Sequence, residues 1–225
     1  MLEVEDLVKS FGSLVAIDHV TLAVAAHTIT GLIGPNGAGK TTLFNTIAGT
    51  SRADTGQIRL HGERIDGDPP DAIFRRGLAR TFQIPRPFRE MTVLENMMMV
   101  PGHQAGERFW ASWVRYGAVR REERAIREQA LEVLGFCGLQ SLAGDLAKTL
   151  SGGQQKLLEL ARVLMGRPSL ILLDEPSAGV NPALMDSLLD RILDLQRRGV
   201  TFLIIEHNMD LVMSVCHPIL VMAQG

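Results

Sequence analysis

Long apolar runs are missing from this chain. The longest, such as Val200–Ile205 and Pro218–Ala223, fall far short of the roughly 20 residues that cross a bilayer. The opening Met1–Asp6 is acidic and lacks the basic-then-apolar layout of a signal peptide. The expectation is a chain that is soluble by itself and works at a membrane only by docking to a protein embedded there. Cysteine is scarce: Cys137 and Cys216 have no metal-ligand spacing, and an oxidised scaffold would carry more. Reduced structural thiols in a cytosolic protein are expected. Aromatics make up only 5% and the formal net charge is −2, which argues against a base-stacking surface or a global field that recruits nucleic acid. Internal repeats, low-complexity tracts and long linkers are also missing.

The 225 residues, 46% of them hydrophobic, suffice for a full core in one large or two small domains. Strand-like runs occur at Thr21–Val24, Thr28–Ile33, Gln57–Leu60, Leu170–Leu173, Val200–Ile205 and Ile219–Met222. Helical patterns occupy Thr41–Ala48, Gln154–Met165, Pro182–Arg197 and Asn208–Val215. In the last third, apolar runs alternate with amphipathic helices at βαβ spacing, which predicts an α/β fold with a parallel or mixed sheet. From Thr92 to Lys148 the pattern is helical without a convincing strand. Its best stretch is Arg120–Leu134, with Ile126, Ala130, Val133 and Leu134 on one face. This reads as a helical subdomain of about residues 92–148, inserted into a core of about 1–91 and 149–225.

Two glycine-rich turns each precede a helical pattern. The first, Gly34-Pro35-Asn36-Gly37-Ala38-Gly39-Lys40-Thr41, is a full P-loop match. Its backbone N–H groups and the following helix N-terminus suit phosphate oxygens, Lys40 suits the β- and γ-phosphates, and the Thr41 hydroxyl suits Mg²⁺. Thr42 supports the phosphate contacts. The second, Leu150-Ser151-Gly152-Gly153-Gln154, offers a similar anion site, although Ser151 is also an ordinary helix N-cap. Two cradles for one triphosphate suggest that the second serves a nucleotide bound to another chain. The apolar strand Leu170–Leu173 ends in Asp174 and Glu175, a metal holder followed by a carboxylate able to polarise an attacking water.

The Leu-Ser-Gly-Gly-Gln string resembles the signature of ATP-binding cassette (ABC) proteins, and the chain resembles their ATPase subunit over nearly its whole length. The resemblance implies a P-loop NTPase fold that binds ATP and Mg²⁺. It also implies head-to-tail pairing, each ATP lying between one P-loop and the opposite signature. Gln83 looks like the glutamine that contacts Mg²⁺ and the attacking water, and His207 like the switch histidine near the γ-phosphate. Phe11 stands where the family stacks an aromatic on adenine, with a core phenylalanine as the alternative. Asn181 replaces an Asp common in the inter-subunit loop and removes a charge there. The family continues beyond Gly225 through another strand and a terminal helix, which predicts an uncovered strand edge here.

Gly77–Gln83 and Phe88–Asn96 resemble the ATPase subunits of branched-chain amino acid importers of bacteria and archaea. Such an ATPase acts at the cytoplasmic face of the inner membrane with a second ATPase, identical or different. Its other partners are two permeases and a periplasmic solute-binding protein, with no nucleic acid. The alternatives are a urea or amide importer ATPase, or a soluble ABC ATPase of DNA repair, cluster assembly or translation. Met97–Met99, Phe109, Trp110 and Trp113 are either core or a permease-docking surface.

Overall fold

The computed structural model describes residues 1–81, 87–101 and 116–225. By internal contact the chain divides into two compact units, Met1–Gln83 with Pro168–Gly225, and Ile84–Arg167. The expected core boundary at 149 falls later, because the helix after Ser151 packs on the other helices of the second unit.

The first unit opens with an antiparallel hairpin, β1 (Leu2–Phe11) and β2 (Leu14–Val24), turned at Gly12 with φ +62°. Leu2, Val4 and Leu7 of β1 are fully buried, which simple alternation forbids. Asp6 resolves this with φ +50° and a register shift between Val4 and Leu7. Such a bulge resets the inward phase, and the Thr21 hydroxyl accepts the Asp6 N–H at 3.0 Å. Strands β4 (Thr55–Leu60) and β5 (Glu63–Arg64) complete a sheet of order β2-β1-β4-β5.

The second sheet of this unit is parallel, in the order β6-β7-β8-β3-β9. Its strands are β3 (Ile29–Ile33), β6 (Leu78–Arg80), β7 (Leu170–Asp174), β8 (Thr201–Ile205) and β9 (Ile219–Val221). Every residue of β7 and β8 is buried, as expected of parallel strands covered on both faces. Leu170, Leu172, Leu203 and Ile205 join one core cluster with Leu43, Phe44 and Ile47 of α1 (Lys40–Ile47) and with Leu2, Val4 and Leu7. Ile171, Phe202 and Ile204 are buried on the opposite face. Helices α2 (Pro70–Arg75), α6 (Pro182–Arg197) and α7 (Met209–Val215) belong to this unit too.

The second unit is built on α3 (Val93–Met98), α4 (Tyr116–Phe136) and α5 (Gly152–Met165). Two residues past the end of α4, Gly138 has φ +72°, and the Leu139 N–H donates to the Leu134 carbonyl at 2.8 Å. This left-handed glycine stop keeps Leu134 and Leu139 buried. Met97 lies in the core while Met99 is exposed, so the methionine run is divided between the two. Phe109, Trp110 and Trp113 lie outside the described residues.

Candidate functional site

Parallel strands deliver their C-terminal ends to one edge of a sheet, and ligands gather there. Leu32 of β3 and Asp174 of β7 are both in register with Ile205 of β8. The three segments that follow these strands, beginning at Gly34, Glu175 and Glu206, therefore leave the sheet side by side.

After β3 the chain makes the turn Gly34–Gly39 and enters α1 at Lys40. A Cβ on Gly34 would stand 2.0 Å from the Met222 carbonyl oxygen, and one on Gly39 2.1 Å from that of Ala16. Backbone crowding thus requires glycine at both. Helix α1 has no side-chain N-cap and no acidic residue in its first turn, so its N–H groups and positive dipole end are left to an anion. The Lys40 ammonium is buried in the turn, donating to the carbonyls of Gly34 at 2.7 Å and Pro35 at 2.8 Å. Thr41 is exposed and Thr42 half-buried.

At the end of β7, Asp174 is buried and its Oδ2 accepts from Arg80 Nη2 at 3.0 Å. Arg80 also donates to Asn45 of α1 and lies over the Phe44 ring. One guanidinium thereby ties the carboxylate to the helix that follows the glycine turn. Glu175 has φ +48°, a conformation that costs a non-glycine residue roughly 1–2 kcal/mol. Its N–H donates to the Ile205 carbonyl at 2.9 Å, and its Oε1 lies 3.1 Å from His207 Nε2. The structure therefore brings Glu175 and His207 together from segments far apart in sequence.

Glu206, which directly follows β8, is 2% exposed. Its Oε1 accepts the Ser177 N–H at 2.7 Å, and its Oε2 accepts those of His207 at 3.0 Å and Asn208 at 3.2 Å. A charge closing an apolar strand beside a candidate histidine was the available signal. Arg80 left none, because its partners are 35 and 94 residues away. Asn181 caps α6 by accepting the Leu184 N–H at 2.9 Å, a task that Asp performs as well.

Phe11, at the β1–β2 turn, is 54% exposed with the Lys9 ammonium 5.3 Å from its ring centroid. Lys9 is held by Asp54, whose carboxyl sits below its ordinary range because Lys9 and then the Ser10 N–H donate to it. Within the second unit, Ser151 and Gln154 cap α5 reciprocally. Ser151 Oγ accepts the Gln154 N–H at 3.3 Å and Gln154 Oε1 accepts that of Ser151 at 2.9 Å. Gly152 and Gly153 form the first turn of that helix, and a Cβ on Gly152 would meet nothing within 4 Å. Gln83 lies outside the described residues.

The family model described as ABC transporter matches residues 17–178. Over its full length the chain is 45% identical to the probable branched-chain amino acid transport ATP-binding protein LivG of Archaeoglobus fulgidus, covering 86% of it. It is 44% identical to the high-affinity branched-chain amino acid transport ATP-binding protein BraF of Pseudomonas aeruginosa, covering 89%. Among solved structures, the ADP conformation of an ATP-binding cassette of an ABC transporter superposes with a TM-score of 0.85 at 40% identity, over 100% of this chain and 88% of that one.

Proposed function

Because the chain belongs to the ABC transporter ATP-binding family, whose members are ATPases, we propose that it powers an importer of branched-chain amino acids. The observation that carries the solute class is the likeness to LivG and BraF along the entire chain.

In this reading the Gly34–Gly39 turn and the α1 N-terminus hold the phosphates of ATP, with Pro35, Asn36, Gly37 and Ala38 supplying backbone. Lys40 turns from the loop carbonyls to phosphate oxygens, Thr42 supports them, and Phe11 stacks on adenine. Glu175 takes the proton of the attacking water, and His207 fixes Glu175 and reaches the γ-phosphate. Gln83 contacts the water and the metal. For Mg²⁺ the chain supplies the Thr41 hydroxyl and the Asp174 carboxylate. Among the described residues no group of three or more His, Cys, Asp or Glu side chains is placed for a metal. That sparse oxygen set fits Mg²⁺, which keeps waters and takes its remaining ligands from phosphates. When bound, Mg²⁺ neutralises charge that develops on the transferring phosphoryl group.

Ser151–Gln154 of a second ATPase chain, identical or different, completes each nucleotide site. Among the described residues no helix is long and apolar enough to cross a membrane. In this reading two permeases supply the passage, a periplasmic binding protein delivers the solute, and this chain docks at the cytoplasmic face. The test is uptake of labelled leucine and isoleucine by cells lacking this chain. Loss of uptake, restored by the wild-type chain, is expected. Unchanged leucine and isoleucine uptake with lost urea or amide uptake would assign the other solute class. No transport defect, with only soluble partners recovered from native membranes, would assign a non-transport ATPase.

A further inference from the structure

We propose that Glu206 is a positioning residue that yokes the segment carrying Glu175 to the segment carrying His207. The inference rests on the ATPase reading of the same site but concerns a residue with no assigned role in it. A buried carboxylate is costly unless its oxygens are satisfied, and Glu206 is 2% exposed. Its three partners are backbone N–H groups, Ser177 on one oxygen and His207 and Asn208 on the other. One side chain thus grips the segment two residues beyond Glu175 and the peptide of His207 itself.

A carboxylate presents acceptors on both of its oxygens. An amide of the same shape offers one acceptor and turns an NH₂ group toward the other N–H, so Glu206→Gln must release one side. Alanine releases both. The geometry at stake is the 3.1 Å approach of His207 Nε2 to Glu175 Oε1, and a small displacement of either segment breaks it. Glu206 therefore acts through the Glu175–His207 pair and touches no substrate.

The experiment compares Glu206→Ala and Glu206→Gln with the full-length wild-type chain, in wild-type and His207→Ala backgrounds. Expected in the wild-type background is a tenfold or greater loss of kcat for Glu206→Ala and a smaller loss for Glu206→Gln. KM and the Kd for ATP should stay within twofold. In the His207→Ala background the same substitutions should change kcat less than twofold. Equal losses in both backgrounds, or a kcat within twofold of wild type, overturns the proposal. If Glu206→Ala fails to fold, Glu206→Gln carries the comparison. Histidine-selective NMR gives a readout independent of activity: the His207 ring resonances should shift and broaden while those of His27 and His61 stay in place. Unmoved His207 resonances overturn the yoke. A wild-type chain without ATPase activity, but with His207 resonances that respond to Glu206→Ala, would sink the ATPase reading and leave the yoke standing.

Discussion

Lys40 holds its ammonium against two carbonyls of its own loop, so its charge is already aimed into the turn where phosphate is proposed to bind. Charge-assisted hydrogen bonds of this kind contribute about 1.5–3 kcal/mol. Lys40→Ala should therefore raise the Kd for ATP roughly tenfold or more, measured by titration with a fluorescent nucleotide. Unchanged affinity would contradict the phosphate assignment. Residues such as Lys40, Asp174 and Glu175 were legible in sequence because local order encodes them: a glycine turn between strand and helix, an apolar strand closing on two carboxylates. Arg80 was not, since its partners come from a distant helix and the end of a distant strand, and Glu206 left only a charge closing an apolar strand, its Ser177 partner standing 29 residues away. His207 stood between these cases, named from the order of motifs but given its contact with Glu175 only by the fold.

Among the elements, α3 depends on side chains that stand in for missing backbone partners. Asn96 is fully buried, accepting the Phe88 N–H and donating to the carbonyls of Phe88, Met91 and Thr92. Asn96→Ala removes all four of these hydrogen bonds and takes from the Phe88 N–H its side-chain acceptor, a loss of about 3 kcal/mol. A fall in Tm of roughly 6–12 °C is expected for a chain of this size, and an unchanged Tm would refute the role. The same helix begins with a capping box in which Glu95 accepts from the Thr92 backbone and hydroxyl. Those bonds hold the Glu95 carboxyl below its ordinary range. The stabilisation is present above the unfolded-state value and is lost as pH falls through the folded one. The Thr92 amide should then be less protected from exchange at about pH 3 than at about pH 6, after correction for intrinsic rates; equal protection would remove the linkage.

Strands β3, β7 and β8 could be read directly, as continuous apolar runs buried on both faces. Strand β1 could not: its acidic residues and the bulge at Asp6 break the alternation that announces a strand. Strand β6 spans only Leu78–Arg80, too short for periodicity to register. Of the antiparallel sheet, Thr21–Val24 of β2 and Gln57–Leu60 of β4 were read as strands, but their pairing through β1 emerged only with the structure.

At the scale of the whole molecule, the proposed composite site makes nucleotide and dimer interdependent. Glu175→Gln should cut turnover by roughly 10²–10⁴-fold while ATP still binds, so the variant should run as a dimer with ATP and as a monomer without it on size-exclusion chromatography. Near-normal hydrolysis would remove Glu175 as the base, and a nucleotide-independent elution volume would remove the composite site. The left-handed backbone at Glu175 has a consequence for how such a protein changes over generations. A residue there must keep a long carboxylate in a conformation that Asn or Gly adopts more readily. Under selection for thermal stability alone, position 175 should drift to Asn or Gly, giving chains that melt higher and, with the proposed base gone, turn over far more slowly. On that proposed role a demand for turnover keeps glutamate in place, so a stability-only library that retained it would show that the backbone there is not under strain.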